Sequence, residues 1–251
     1  MIFAAMLALG WLIGLVGAGG AGLTISVLTV SFGVPIHTAL AVALASMAFT
    51  MLSGAYSHFR EGDVIVRIGL VTGTCGIIGS AIGVRCAQYI PPSLLSAATG
   101  GMLLLSTVLL YFQLFRSELL RSFVERNASS AEGSHFYIVA SAIGLGNGFL
   151  SGAFGIGASA FIQICLMLFF GVSLYHAIGT TMMIILPISV TGGVSYLLYG
   201  QLDPYIFVQT LGGLVIGSFV GAKFTRMIPK NILRYIVVSL PTTAGLMLIL
   251  R

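Results

Sequence analysis

The chain has 251 residues, 58% of them hydrophobic and only 7% charged, with a formal net charge of +5. Soluble domains carry roughly 25% charged residues, so this composition cannot cover a water-facing surface and excludes a soluble globular protein. The eleven basic residues gather in loops, a distribution that serves orientation in a bilayer and argues against a nucleic-acid partner.

The first apolar segment covers about residues 2–32. Its opening, "MIFAAMLALG", has no basic region ahead of the apolar run, so no cleaved signal peptide is expected. Glycines interrupt it at "LVGAGGAGLTIS", residues 15–26. Three unbroken spans follow, at about 37–57, 65–87 and 93–112, each near the roughly 20 residues that cross a bilayer. A polar joint, "QLFRSELLRSFVERNASSAEGS" (113–134), carries three arginines and three glutamates. Arg121 and Glu125 stand four apart, the spacing of a short surface helix. The second apolar segment, about 137–170, is broken at "LSGAFGIGASAF" (150–161), and spans at about 175–198, 205–226 and 231–250 complete the chain. No segment alternates at period two, which argues against a membrane β-barrel. Cys75, Cys86 and Cys165 lack metal-ligand spacing and read as small apolar residues.

The two halves repeat. With a shift of 138 residues, Gly14, Gly17 and Gly19 fall on Gly152, Gly155 and Gly157, and "FGVPIHTA" (32–39) falls on "FGVSLYHA" (170–177). Ser57, Gly62, Gly79, Ser80 and Gly83 fall on Ser195, Gly200, Gly217, Ser218 and Gly221. The expected organisation is a first membrane repeat over 1–113, a polar cytoplasmic linker over 114–135 and a second membrane repeat over 136–251. Gly69, Gly73, Gly79 and Gly83 in one half, with Gly213, Gly217 and Gly221 in the other, mark helix-packing faces.

Loop charges bear on the path of the broken segments. If each crossed the bilayer once, six basic residues would lie on one side and five on the other. If each turns back at its glycines, Arg60, Arg67, Arg116, Arg121, Arg126, Lys223, Arg226, Lys230 and Arg234 share one side, and only Arg85 and Arg251 oppose them. The second distribution obeys the positive-inside rule. The expected fold is therefore an all-α polytopic membrane protein of two inverted repeats, each a broken, re-entrant helix pair plus three transmembrane helices.

Irregular backbone at membrane depth survives only when buried in protein or lining a wet cavity, so both breaks are expected to face inward, near each other and near the midplane. The helix restarting after each break presents first-turn amides without partners and the positive end of its dipole, which attract an anion. The first site half comprises Gly17, Gly19, Gly20, Gly22 and Thr24, and the second Gly155, Gly157 and Ser159, with Asn147 and Gln163 flanking. Hydroxyls gather nearby: Ser46, Thr50 and Ser53 on one helix face, and Thr180, Thr181, Ser189 and Thr191 on the matching helix. All six carboxylates fall in loops or at span ends, so the intramembrane acid of a proton- or sodium-coupled transporter is missing. An anion leaving a cell is driven outward by roughly 2.3 kcal/mol per charge per 100 mV. His37 and His176, near corresponding helix starts, read as capping or packing residues, and Arg85 and Lys223 as snorkelling cations.

The paired glycine breaks, "GVPIHTALAVALASM" with its echo "GVSLYHAIGTTMMIILP", and "YGQLDPY" ahead of the next span resemble the TauE/SafE family of sulfite exporters over nearly the whole chain. The resemblance implies a bacterial inner-membrane, multi-pass permease for sulfite or small organosulfonates, without cofactor or metal. It maps the family's glycine motif onto Gly17, Gly19, Gly20 and Gly22 and onto Gly155 and Gly157, and a family threonine onto Thr180. The expected partners are a small anionic substrate and the lipid bilayer, with a homodimer compatible. The alternatives are a transporter of another small anion, a channel-like or purely structural membrane subunit, or an intramembrane hydrolase using Ser151 or Ser159 with His176.

Overall fold

The computed structural model describes residues 1–16, 20–115, 134–156, 158–224 and 230–250, and these form helices with no strand among them. In chain order they are α1 (Ile2–Val16), α2 (Ala21–Ser26) winding on into a π-helical turn (Val27–Ser31), α3 (Ile36–Glu61), α4 (Val66–Ala87) and α5 (Pro92–Phe115). The second half gives α6 (Ser134–Phe154), α7 (Ser159–Phe170), α8 (Leu174–Leu198), α9 (Pro204–Phe224) and α10 (Lys230–Ile249). Among the described residues, six helices are long and apolar enough to cross a membrane. The chain is an all-α, multi-pass membrane protein.

Local chemistry sets the ends. Pro35 precedes α3 in an extended conformation, and Gly62 closes α3 at φ +80, donating its amide to the Phe59 carbonyl at 3.2 Å. At the start of α9 the Asp203 carboxylate accepts from the amides of Tyr205 and Ile206 at 2.8 and 3.2 Å, with Pro204 between them. That is the physical content of "YGQLDPY": an acidic cap followed by a residue whose missing N–H costs a helix start nothing.

Small residues carry the packing. α4 and α6 approach so closely that a methyl on Gly79 would lie 2.2 Å from the Leu145 carbonyl oxygen, and one on Gly83 2.3 Å from that of Phe149. Gly148 meets Gly76 and Gly152 meets Ser80 in the same way. α1 and α9 repeat this arrangement, with Gly10 on Leu214, Gly14 on Ser218 and Gly217 on Leu7.

These contacts fix directions. Rising numbers meet rising numbers between α4 and α6 and between α1 and α9, so each pair is parallel. Gly192 and Gly193 of α8 meet Leu44 and Ala45 of α3, whereas Gly54 of α3 meets Met182, so α3 and α8 are antiparallel. Between α5 and α10, Gly100 meets Gly245 and Ile249 while Gly245 meets Leu104, again antiparallel. α8 and α9 are joined by a short turn, so α1 runs the same way as α3 and α6 the same way as α8.

α3 is the buried axis: Ala39, Leu40, Ala41, Val42 and Leu44 are fully enclosed. Outward-facing helix surfaces carry Ile78, Val208, Phe219 and other large apolar side chains, as lipid contact requires. Two features depart from the sequence reading. α6 has 21 residues against 15 for α1, so the second broken segment begins with a helix that is long enough by itself to span. α5 runs on to Phe115, past the expected start of the joint. The surface helix expected around Arg121 and Glu125 lies outside the described residues.

Candidate functional site

Both breaks are present, and both border α3. The first leaves α1 at Val16 and restarts at α2, capped by Gly20. Thr24 is the first residue of α2 whose amide reaches a carbonyl of its own helix, that of Gly20 at 3.0 Å. The amides of Ala21, Gly22 and Leu23 precede that bond and are the first-turn donors that a helix cannot satisfy internally. The Thr24 hydroxyl donates to the same Gly20 carbonyl at 3.0 Å, tying the restart to its cap. Gly20, Ala21 and Thr24 line a cavity of about 30 Å³ with Ala43, Met47 and Thr50 of α3 and Leu214 and Ser218 of α9. Thus Gly20, Thr24 and Thr50, all expected at the site, share one small space.

A π-helical turn follows α2, and it was not expected. The Ser26 hydroxyl donates to the Gly22 carbonyl within its helix and to the Ala244 carbonyl of α10, both at 2.9 Å. Val34 then returns its amide to the Leu28 carbonyl at 3.0 Å. Gly22 presses on α5, where an added methyl would meet Leu103 Cδ2 at 2.2 Å.

The second break turns at Gly155, φ +65, and at Ala158, φ +46. Ala158 is a non-glycine residue in the left-handed region, which costs roughly 1–2 kcal/mol. It caps α7, and Ile162 donates to its carbonyl at 2.9 Å, leaving Ser159, Ala160 and Phe161 as first-turn donors. A methyl on Gly155 would lie 2.5 Å from Leu40 Cδ2 of α3 and 2.9 Å from Ile25 Cδ1 of α2. The second break therefore touches the helix that begins at the first. Buried Tyr196 of α8 donates its hydroxyl to the Gly152 carbonyl at 3.2 Å, holding the end of α6.

The remaining expected residues divide. Ser46 is fully buried and has no hydrogen-bond partner among the described residues, and the same holds for Ser151, Thr181 and Ser189. Thr50 donates to the Met47 carbonyl of its own helix. Gln163 accepts from Gln113 of α5 at 2.8 Å, an interhelical bond. Asn147 likewise donates back to the Ile143 carbonyl of its own helix. Thr180 stands apart, near the end of α3, accepting from the Ile65 amide at 3.0 Å. Gly17, Gly19, Gly157 and the side chains of Ser53 and Lys223 lie outside the described residues. His37 faces the Ala87 carbonyl at 3.1 Å, linking the start of α3 to the end of α4, and His176 pairs locally with Ser173 at 2.8 Å. Sequence reasoning did not place Ser218 at the cavity, although its register with Ser80 was visible.

A family model described as "Sulfite exporter TauE/SafE" matches residues 2–248. The chain belongs to the TauE/SafE family. A Bacillus subtilis (strain 168) relative named "Probable membrane transporter protein YdhB" is 44% identical over 249 residues, covering 99% of each chain. Two further proteins of that organism are similar. "Probable membrane transporter protein YjnA" is 23% identical, over 96% of this chain and 95% of its own. "Probable membrane transporter protein YunE" is 26% identical, over 76% and 72%. No solved structure matches. This TauE/SafE protein is a membrane transporter.

Proposed function

We propose that this TauE/SafE transporter is a permease that exports a small sulfur oxyanion or organosulfonate, such as sulfite or sulfoacetate, past the restarted ends of α2 and α7. The observation that carries the reading is the contact between Gly155 of the second break and Ile25 of α2, against the buried axis of α3. Two interrupted helices whose first-turn amides are enclosed by protein form an anion site without a fixed cation. Donors of this kind hold a charged cargo and still release it.

The halves are read as inverted repeats, over 1–113 and 136–251. The opposed directions of α3 and α8, and of α5 and α10, support this, because corresponding elements of inverted repeats run oppositely. The agreement of direction between α1 and α3, and between α6 and α8, supports segments that turn back instead of crossing. The buried hydroxyls without partners among the described residues, Ser46 and Thr181 included, supply neutral donors for a passing anion. The hydrolase alternative loses ground because His176 is engaged with Ser173.

Flux tests the reading. In liposomes the purified protein is expected to carry sulfite, and Gly157→Leu is expected to abolish the flux while elution and melting stay those of the native fold. Sulfite flux that survives in a folded Gly157→Leu variant would remove the second break from the pathway.

A further inference from the structure

The two halves differ at one pair of matching seams. Where α4 lies along α8 the contact is continuous: Gly69 meets Met183, Gly73 meets Pro187 and Gly76 meets Ile188. The Ser80 hydroxyl reaches across to the Ile188 carbonyl at 3.0 Å. The seam ends on a reciprocal amide pair, in which Gln88 Nε2 donates to Gln201 Oε1 at 3.2 Å and Gln201 Nε2 donates back to Gln88 Oε1.

The matching seam, α9 on α3, is in a different state. Ser218, which stands where Ser80 does, donates to the Val215 carbonyl of its own helix at 3.1 Å. It borders the small cavity with Thr50, the residue that matches Ile188. Farther along, a groove of about 460 Å³ opens between α3, α8 and the start of α9, flanked by Ala45, Phe49, Gly193 and Phe207. Phe207 occupies the position of Gly69, and its ring approaches Phe49 at 6.2 Å between centroids. So one seam is docked along its length and its counterpart is loose at both its middle and its start.

Packed interfaces switch between discrete arrangements rather than deforming smoothly. Transporters built from inverted repeats alternate access by rocking one repeat or bundle against the other around a fixed site. We propose that the α4–α8 and α9–α3 seams are the moving joints of the permease, docked and loose in alternation, and that the Gln88–Gln201 amide pair latches the joint that is docked here. The inference rests on the permease reading for its purpose. A neutral amide pair suits a latch because each hydrogen bond contributes only a modest equilibrium factor and parts reversibly. In the 138-residue register, Asp63 and Arg226 stand at the positions of Gln201 and Gln88. Asp63 lies 3.5 Å from His58 Nδ1, and Arg226 lies outside the described residues.

The test uses the full chain with Cys75, Cys86 and Cys165 changed to serine. First, Gln88→Cys with Gln201→Cys is cross-linked by a bifunctional methanethiosulfonate in liposomes. Sulfite flux is expected to stop on cross-linking and to return with dithiothreitol. Second, Met183→Cys reports on the α4–α8 seam through its labelling rate with a small methanethiosulfonate. Adding Gln88→Ala and Gln201→Ala is expected to speed labelling roughly tenfold, the shift that two lost hydrogen bonds give. Unchanged flux in the cross-linked protein, or an unchanged labelling rate in the unlatched one, would overturn the latch. Absence of sulfite flux in the unmodified protein would count against the cargo alone, since the labelling arm still decides the latch.

Discussion

Gly79 offers the sharpest test of the packing. A methyl there would sit 2.2 Å from the Leu145 carbonyl oxygen, and its next neighbours, the Phe149 nitrogen and the Leu145 carbonyl carbon, are also backbone at 2.9 and 3.0 Å. Ordinary contact begins near 3.4 Å, so the overlap is 3.4 − 2.2 = 1.2 Å, and no side chain can swing away to relieve it. α4 and α6 must therefore part by about 1 Å, a gap that forfeits a quarter to a half of the dispersion energy across the seam. Overpacking of this kind costs about 1–3 kcal/mol. Taking ~2 kcal/mol, and ~2–4 °C per kcal/mol for a chain of this size, Gly79→Ala should lower Tm by about 4–8 °C. The control is Gly146→Ala on α6, where an added methyl meets nothing within 4 Å. Melting of the detergent-purified variants, followed by size-exclusion recovery against temperature, measures both. Equal melting of Gly79→Ala and Gly146→Ala would refute the glycine-to-backbone seam.

Other residues give further expectations. Tyr196→Phe leaves the Gly152 carbonyl without its donor and should cost about 1–3 kcal/mol, read as a lowered Tm. At the second break Ala158→Gly should fold and carry cargo, whereas Ala158→Val, β-branched at φ +46, should lose both; equal behaviour of the two would contradict the left-handed turn. Thr24→Val keeps the side-chain shape but removes the hydroxyl that ties α2 to Gly20, and should reduce liposome flux with little change in melting. Full flux in that variant would show that the restart of α2 is held by other means.

Much of the architecture was legible because the bilayer imposes a coarse grammar. Apolar runs announced a helical, multi-pass chain, and six helices among the described residues are long and apolar enough to cross a membrane. The glycines at 79, 83 and 217 announced close packing, and they are the points where backbones touch. Depth and side-chain partnership were not legible. Thr180 has a hydroxyl in a span, as Thr24 does, yet it serves the Ile65 amide at a helix end. Nothing in its local sequence separates the two, since the partner comes from a turn over a hundred residues away. Likewise the left-handed residue of the second break is an alanine within "GIGAS", where the glycines beside it drew attention. The Gln88–Gln201 pair was invisible because each glutamine sits in an ordinary loop-end context and only the docking of α4 on α8 brings them together.

The central claim is that backbone amides at the restarted helices hold the cargo. Selenite, a heavier analogue of sulfite, soaked into crystals and located by its anomalous scattering, tests this directly. The account predicts a selenium peak whose oxygens accept from first-turn amides among Ala21–Leu23 or Ser159–Phe161, enclosed by α3. A peak held instead by arginine or lysine side chains, with both helix starts empty, would contradict it.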